Sequence, residues 1–253
     1  MERALGQPRR KIVFSGKADH VARSLPCCKS KVAQESNRKS SVTCWLKVAS
    51  GVALLAAGGM FISWTAHRVD RQMRGEIFLQ AQMVAQAVDI ENVVALAGTE
   101  ADLASRDYRR LKEQLTLIRQ VAPKCRFIYL MGRRPDGKVF FFVDSESSDS
   151  ADYSPPGQIY DEATQDDYKV FATGSGNMNG DPYKDRWGVW ITALVPMFYP
   201  DTDKTLAVLG MDFNAATWKW DVATRTTLPA MPAAFLILLG IYILVFPCRV
   251  AWS

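Results

Sequence analysis

Two stretches of the sequence are apolar from end to end. Val48–Ala66 holds no charged residue, and Leu228–Cys248 is centred on Phe235-Leu236-Ile237-Leu238-Leu239. Each is about 20 residues long, which as helix at 1.5 Å per residue matches the roughly 30 Å hydrocarbon core of a bilayer. Buried core helices are the competing reading, but soluble domains seldom contain uncharged runs of this length. A cleaved signal peptide fits the first run poorly. Its basic leader, Met1–Lys47, exceeds an ordinary n-region, and Trp64 stands where a cleavage site requires a small residue. Both runs are therefore expected to be transmembrane helices, residues 48–66 and 228–248, bracketing one domain, residues 67–227. Ala49, Ala53 and Ala57 form a small-residue stripe on the first, which another helix can approach closely.

The intervening pattern starts helical. Val69, Met73, Ile77, Ala81, Val84 and Val88 recur every three or four residues, an apolar stripe on a helix continuing outward from the first span. Thr99-x-x-Asp102 has the form of a capping box opening a short helix. Asp107 is placed to cap another, with Tyr108, Leu111, Leu115, Ile118 and Val121 on one face. Strand patterns follow. Phe127–Met131 and Val139–Val143 flank Arg134-Pro135-Asp136-Gly137-Lys138, where Pro presets φ and Gly takes the left-handed position, so the segment predicts a β-hairpin. A polar loop from Ser145 to Gln158, a helix over Glu162–Ala172 and a Gly/Asn-rich loop over Gly174–Gly180 come next. Two further strands, Gly188–Phe198 and Thr205–Phe213, are joined at Pro200-Asp201-Thr202-Asp203. Asn214 is placed to cap an exit helix carrying Trp218 and Trp220, interrupted near Pro229 and Pro232. This order predicts an α+β domain, an antiparallel sheet with helices on one side.

Charge adds an orientation. The net charge of +5 conceals a tail, residues 1–47, with eleven Lys or Arg against three acids, whereas residues 67–227 carry nineteen against twenty-three. The basic excess belongs to the tail, so no nucleic-acid partner is expected for the domain. A cationic tail marks the cytoplasmic side, although Arg68, Arg71 and Arg74 follow the first span on its other side. The expectation is a disordered cytoplasmic tail over residues 1–47, an extracytoplasmic domain and a short cytoplasmic end over 249–253. Of five cysteines only Cys125 falls in the domain, which excludes an internal disulfide there. Cys27-Cys28 lacks the spacing of a zinc site.

Enzyme signatures are missing from the chain. His20 lies in the tail and His67 at a membrane boundary, leaving no histidine base within the domain. Gly174-Ser175-Gly176 is not followed by the Gly-Lys-Ser/Thr of a phosphate loop, and neither a Gly-x-Ser-x-Gly elbow nor a His-Glu-x-x-His pair occurs. No catalytic residue, metal ligand or cofactor is expected. Two features remain. From Val139 to Tyr168 there is no Lys or Arg but eight acids, either a solvated face or a cation-attracting rim. Asp185-Arg186-Trp187-Gly188-Val189-Trp190 joins two Trp, a Gly and a charged pair where a loop meets a strand, either plain core or the wall of a small-molecule pocket.

A longer succession carries a resemblance. Arg126-Phe127-Ile128-Tyr129-Leu130-Met131, Asp136-Gly137-Lys138, Phe142-Val143-Asp144-Ser145-Glu146, Pro155-Pro156-Gly157, Tyr160, Asp185-Arg186-Trp187-Gly188, Val195-Pro196 and Leu209-Gly210-Met211-Asp212 follow one another. This order resembles the PAS-like Cache sensor domains of bacterial transmembrane histidine kinases, diguanylate cyclases and chemoreceptors. The likeness spans residues 67–227 and both flanking helices. It implies a PAS-like antiparallel sheet with a long N-terminal helix, flanked by two transmembrane helices. It also implies a non-enzymatic signal-transduction module in the cell inner membrane whose periplasmic domain senses a small molecule. Family members normally run on into a kinase, cyclase or methyl-accepting region. This sequence stops at Ser253, so the expectation is a truncated sensor or one that acts through a partner.

In that family the ligand lies over the sheet, beneath the segment between the hairpins. Here this implies a pocket bounded by Tyr129, Asp144, Tyr160, Asp185, Trp187, Trp190 and Asp212. Carboxylates among aromatic walls suit an amine, whereas Arg126 or Arg186 would pair with the carboxylate of an amino acid; another small metabolite is a third option. The lipid bilayer and a second copy or signalling protein are the implied partners. A scaffolding membrane protein that dimerises through its PAS-like domain is the alternative reading.

Overall fold

The computed structural model describes residues 27–246. Helix α1 (Cys27–Ala87) is followed by α2 (Ile90–Val94), a 3-10 helix (Glu100–Ala104) and α3 (Arg106–Val121). Strands β1 (Cys125–Arg133) and β2 (Val139–Asp144) lead to helix α4 (Gln165–Thr173). Strands β3 (Asn177–Met178), β4 (Tyr183–Lys184), β5 (Val189–Phe198) and β6 (Thr205–Asn214) precede helix α5 (Ala215–Val245). The chain divides into two compact units. One runs from Ala57 to Leu236; the other comprises, among described residues, α1 up to Ala56 and α5 from Ile237.

The first unit is built on one antiparallel sheet in the order β2-β1-β6-β5-β3, with β4 also on the outer edge of β5. Its central strands are apolar at nearly every position because both faces are covered. Ile128, Leu130, Ile191, Ala193, Leu209 and Met211 face the stripe Met73, Ala81, Ala85 and Val88 of α1 and Leu111 and Leu115 of α3. The alternate residues, Phe127, Tyr129, Met131, Trp190, Leu194 and Val208, face the segment between the hairpins. The domain is thus helix plus antiparallel sheet, with long helices at both ends.

The hairpin between β1 and β2 closes as its sequence requires. Arg134 N donates to Lys138 O (2.8 Å), and Gly137 takes φ of 89°. Within the pair, Leu130 faces Val143 but Met131 faces Phe141, a bulge that leaves Phe142 as the extra residue. The bulge reverses the alternation of β2. Val143 joins the α1/α3 side, and Asp144, the next residue, turns to the other face.

Several local expectations are corrected. The Thr99–Asp102 capping box forms and opens a short helix as expected, of the 3-10 type. Helix α3 is capped by Ser105, whose hydroxyl accepts from Tyr108 N (2.9 Å), and Asp107 falls inside the first turn. Val121, at the last position of α3, is exposed and drops out of the buried face. The Gly/Asn-rich loop contributes the short strand β3. Asn214 caps α5 as expected, accepting from Ala216 N and Thr217 N.

Helix α5 is not interrupted at Pro229 and Pro232 but continues through both. Each proline forfeits a single backbone bond, and a long helix with apolar surroundings absorbs that loss. Helix α1 begins at Cys27, inside the stretch expected to be disordered, in a run rich in the helix-forming Lys, Gln and Arg. Residues 1–26 of that tail, and the short end from 247 onward, lie outside the described residues.

Residues 41–87 of α1 and all of α5 are long and apolar enough to cross a membrane. Only 11% of the most apolar window in each is buried, so they are not core helices of the domain. Phe61, Trp64, Phe235 and Leu238 point outward. In the second unit the helices meet at glycines. A Cβ on Gly51 would stand 2.8 Å from Leu244 Cγ, and one on Gly240 3.0 Å from the Gly51 carbonyl oxygen. Ala49, Ala53 and Ala57, the expected approach stripe, are exposed. Glycine permits the closer approach, so it makes the contact.

The capping geometry predicts that Ser105→Ala costs about 1 kcal/mol of unfolding free energy and that Asp107→Ala costs less. Urea unfolding of the two variants checks the order.

Candidate ligand-binding site

On the sheet face away from α1, a small, partly open cavity is lined by Phe127, Tyr129, Phe141, Asp144, Asp152, Ser154, Tyr160, Asp185, Trp187 and Asp212. Strand alternation explains the first part of this set. Phe127 and Tyr129 share the pocket face of β1, and Phe141 lies opposite them on β2. Tyr129 lies across β6, where it pairs with Gly210. A Cβ there would come within 2.2 Å of the Tyr129 ring, so a side chain at 210 would push the ring out of the floor. Phe141 packs edge-on to Tyr129 (5.5 Å) and Trp187 (6.1 Å), and at 49° to Tyr160 (5.3 Å), which completes an aromatic box.

Six of the seven residues expected at a pocket thus border one cavity: Tyr129, Asp144, Tyr160, Asp185, Trp187 and Asp212. Trp190 stands behind the wall. It packs edge-on against Phe127 (5.1 Å), and its indole N–H donates to Asp185 Oδ1 (2.8 Å). The backbone N–H groups of Trp187 and Gly188 also donate to that oxygen, both at 2.9 Å. Asp185 is therefore fixed by its own turn. Among the described residues its Oδ2 has only the Tyr160 hydroxyl, at 3.3 Å.

The four carboxylates differ in their partners. Asp144 is bound by Lys112 (2.5 Å) and accepts from Ser154 N (2.7 Å); burial still raises its affinity for a proton, against the pull of Lys112. Asp152 pairs with Arg126 (2.6 Å), which also holds Glu146 (2.6 Å). Asp185 and Asp212 make no ion pair among the described residues. Asp212 Oδ1 accepts from Thr192 Oγ1 (2.5 Å) and Tyr129 Oη (3.1 Å), while Oδ2 accepts no hydrogen bond from a described residue. At 3% exposure Asp212 is pushed up to about 8, by burial first and by the neighbouring negative charge of Asp185 next.

The arginines proposed as carboxylate receptors are already engaged. Arg126 spans Glu146 and Asp152, and Arg186 forms a two-pronged pair with both oxygens of Glu162 (2.7 and 2.5 Å). Among the described residues no Lys or Arg borders the cavity, and no three His, Cys, Asp or Glu converge to hold a metal ion. The arrangement offers two unpaired carboxylates inside aromatic walls. It can neutralise and surround a small organic cation.

Sequence reasoning missed Phe127, Phe141, Asp152 and Ser154. The period-two pattern of β1 was enough to find Phe127, which shares a face with Tyr129. Period two on β2 puts Phe141 and Asp144 on opposite faces, and only the bulge at Phe142 brings both to the pocket face. Nothing local marks Asp152 and Ser154, which reach the cavity through an irregular loop. Lys112, which decides that Asp144 is not free, lies thirty-two residues away on α3.

No protein-family model matches the chain, and no curated protein matches it. Similar solved structures are sensory domains of a chemoreceptor. The ligand-binding domain of Campylobacter jejuni chemoreceptor Tlp3 in complex with L-valine has 16% identity and a TM-score of 0.47, over 70% of this chain and 66% of that one. The Tlp3 sensory domain with isoleucine bound gives 16% and 0.46 over 70% and 66%, and the sensory domain alone 15% and 0.46 over 68% and 65%. This chain thus spans slightly less than two thirds of the length of those domains.

Asp212 supplies a pH signature. Its carboxyl keeps a proton to about pH 8 when folded, against an ordinary value of 3.8 when unfolded. Between those values the folded state binds the extra proton, so its contribution to stability falls as pH rises through this window. Denaturant unfolding of the ligand-free chain from pH 4 to pH 9 is expected to show a shallower decline in Asp212→Asn than in the parent. Asp144 and Asp167 are raised by burial too and remain in both proteins, so the difference isolates Asp212.

Proposed function

We propose that this protein is a membrane-anchored, extracytoplasmic sensor that binds a small organic cation and acts through binding, not catalysis. The observation that carries this reading is the pair Asp185 and Asp212, buried or half-buried in an aromatic box with no cationic partner among the described residues. Unpaired carboxylates in low dielectric are costly, and a ligand ammonium group relieves that cost while the rings exclude water. An amino-acid ligand is less well served. It would require Arg126 or Arg186 to abandon two strong bonds each. The two exposed apolar helices in sequence on either side of the domain support the membrane anchor. The basic tail supports cytoplasmic termini and an extracytoplasmic domain.

n-Butylammonium is the simplest probe with a charged head and an apolar tail. At a hundredfold excess over its Kd it is expected to stabilise the purified chain by about 2.7 kcal/mol, whereas butyrate has no effect. Asp185→Asn and Asp212→Asn are expected to lose that response, and the parent's affinity to rise about tenfold per pH unit until Asp212 is ionised. Stabilisation by butyrate alone, or an unchanged response in both variants, contradicts the reading. Orientation is checked separately. A reporter active only in the cytoplasm is expected to work after Lys47, and one active only after export to work at Ser150.

A further inference from the structure

The pocket is connected to both long helices by a continuous run of hydrogen bonds. Asp212 Oδ1 accepts from the Thr192 hydroxyl (2.5 Å), its direct neighbour across β5 and β6. Thr192 is joined to Asn179 twice: its N–H donates to Asn179 Oδ1 (2.6 Å), and its carbonyl accepts from Asn179 N (3.1 Å). The Asn179 carbonyl accepts from Arg74 Nη1 on α1. Arg74 Nε donates to Asp70 Oδ2 (2.7 Å), one turn earlier, and the other oxygen of Asp70 accepts from Trp218 Nε1 (2.7 Å) on α5. The Arg74 guanidinium also lies 5.4 Å from the Trp218 ring centroid.

Three features make this run more than a contact chain. Asp212, Thr192 and Asn179 are 3, 2 and 6% exposed, so water does not compete for those links. Asn179 and Asp185 lie on one segment, six residues apart, Asn179 directly after β3 and Asp185 directly after β4, the two-residue strands that edge the sheet. A short edge is the least securely held part of such a sheet. Last, a single guanidinium joins that segment to α1 and, through Asp70, to α5. Burial alone would raise the proton affinity of Asp70, but the bonds from Arg74 and Trp218 hold it below the usual carboxylate value, which keeps the clamp ionised.

We propose that Arg74, Asp70 and Trp218 form the output clamp of the pocket, and that Asn179 sets it according to whether the pocket is occupied. A cation drawn between Asp185 and Asp212 pulls on both ends of the Asn179–Asp185 segment. The Asn179 carbonyl then shifts against Arg74, and α1 and α5 are released or tightened together. The ligand's part in this rests on the cation-sensor reading above; the linkage between pocket and clamp does not.

The test measures backbone hydrogen exchange at residues 70–76 and 215–222 in the full chain in lipid nanodiscs. Thr192→Val removes only the hydroxyl bonded to Asp212, and Arg74→Gln removes the guanidinium. Each is expected to speed exchange at both segments by roughly tenfold, the loss of one charge-assisted or buried bond, and the double variant to do no more than either alone. Asp212→Asn is the substitute for Thr192→Val should that variant fail to fold. Additive effects, or no effect of the pocket substitution at residues 70–76, overturn the linkage whatever the ligand. With n-butylammonium, the parent is expected to change its exchange at both segments. Arg74→Gln is expected to keep its thermal stabilisation but lose that change. A parent that never binds the probe refutes the cation reading and leaves the double-variant result to decide the linkage.

Discussion

Burying a carboxylate in the middle of a sheet face is expensive, and the residues around Asp212 are arranged to meet that cost. Two hydroxyls, from Thr192 and Tyr129, bond to one oxygen, while the other accepts nothing from the described protein. Among the described residues no arginine or lysine pairs with Asp212. The protein meets the cost by holding a proton, which pushes Asp212 up to about 8. A proton is a replaceable cation. The proposed cation binding draws on that property, which depends on the register that sets Thr192 opposite Asp212 and Tyr129 opposite Gly210.

Charge pairing elsewhere in the domain bears on the same proposal. Half of the eight acids between Val139 and Tyr168 are paired with residues distant in the chain: Lys112 takes Asp144, Arg126 takes Glu146 and Asp152, and Arg186 takes Glu162. Several of these pairs are partly exposed, where each contributes little to stability. Their larger effect is on selectivity, because every arginine engaged in this way is unavailable to a ligand carboxylate. The bulge in β2 has a matching role. It turns Asp144 to the pocket face, where Lys112 meets it, while Val143 fills the core beside α3.

The same sheet meets helices on its opposite face, and the two faces are built from alternate residues of the same strands. A displacement of β5 or β6 at the pocket therefore cannot leave the packing against α1 untouched. Tight cores resist gradual deformation and favour discrete rearrangements, which suits the proposed sensor role.

Much of this was legible in the linear pattern. The hairpin follows from Pro135 and Gly137, the helical stripe of α1 from its three- and four-residue spacing, and the start of α5 from Asn214. These are local, since backbone dihedrals and side-chain periodicity act over a few residues. The gathering of Tyr129, Asp185, Trp187 and Asp212 came from resemblance, and alternation along β1 then assigns Phe127 to the same wall, whereas the meeting of Phe141 with Asp144 depends on the β2 bulge. Tertiary structure decided the rest. Whether Asp144 is free depends on Lys112, thirty-two positions away, and whether Arg126 and Arg186 can serve a ligand depends on acids that meet them only after folding. The passage of α5 through Pro229 and Pro232, and the contact at Gly51 and Gly240, likewise rest on the packing and solvent around a helix. Sequence sets local conformation and the supply of charges; which charges remain unpaired is a property of distance, and distance exists only in the folded chain.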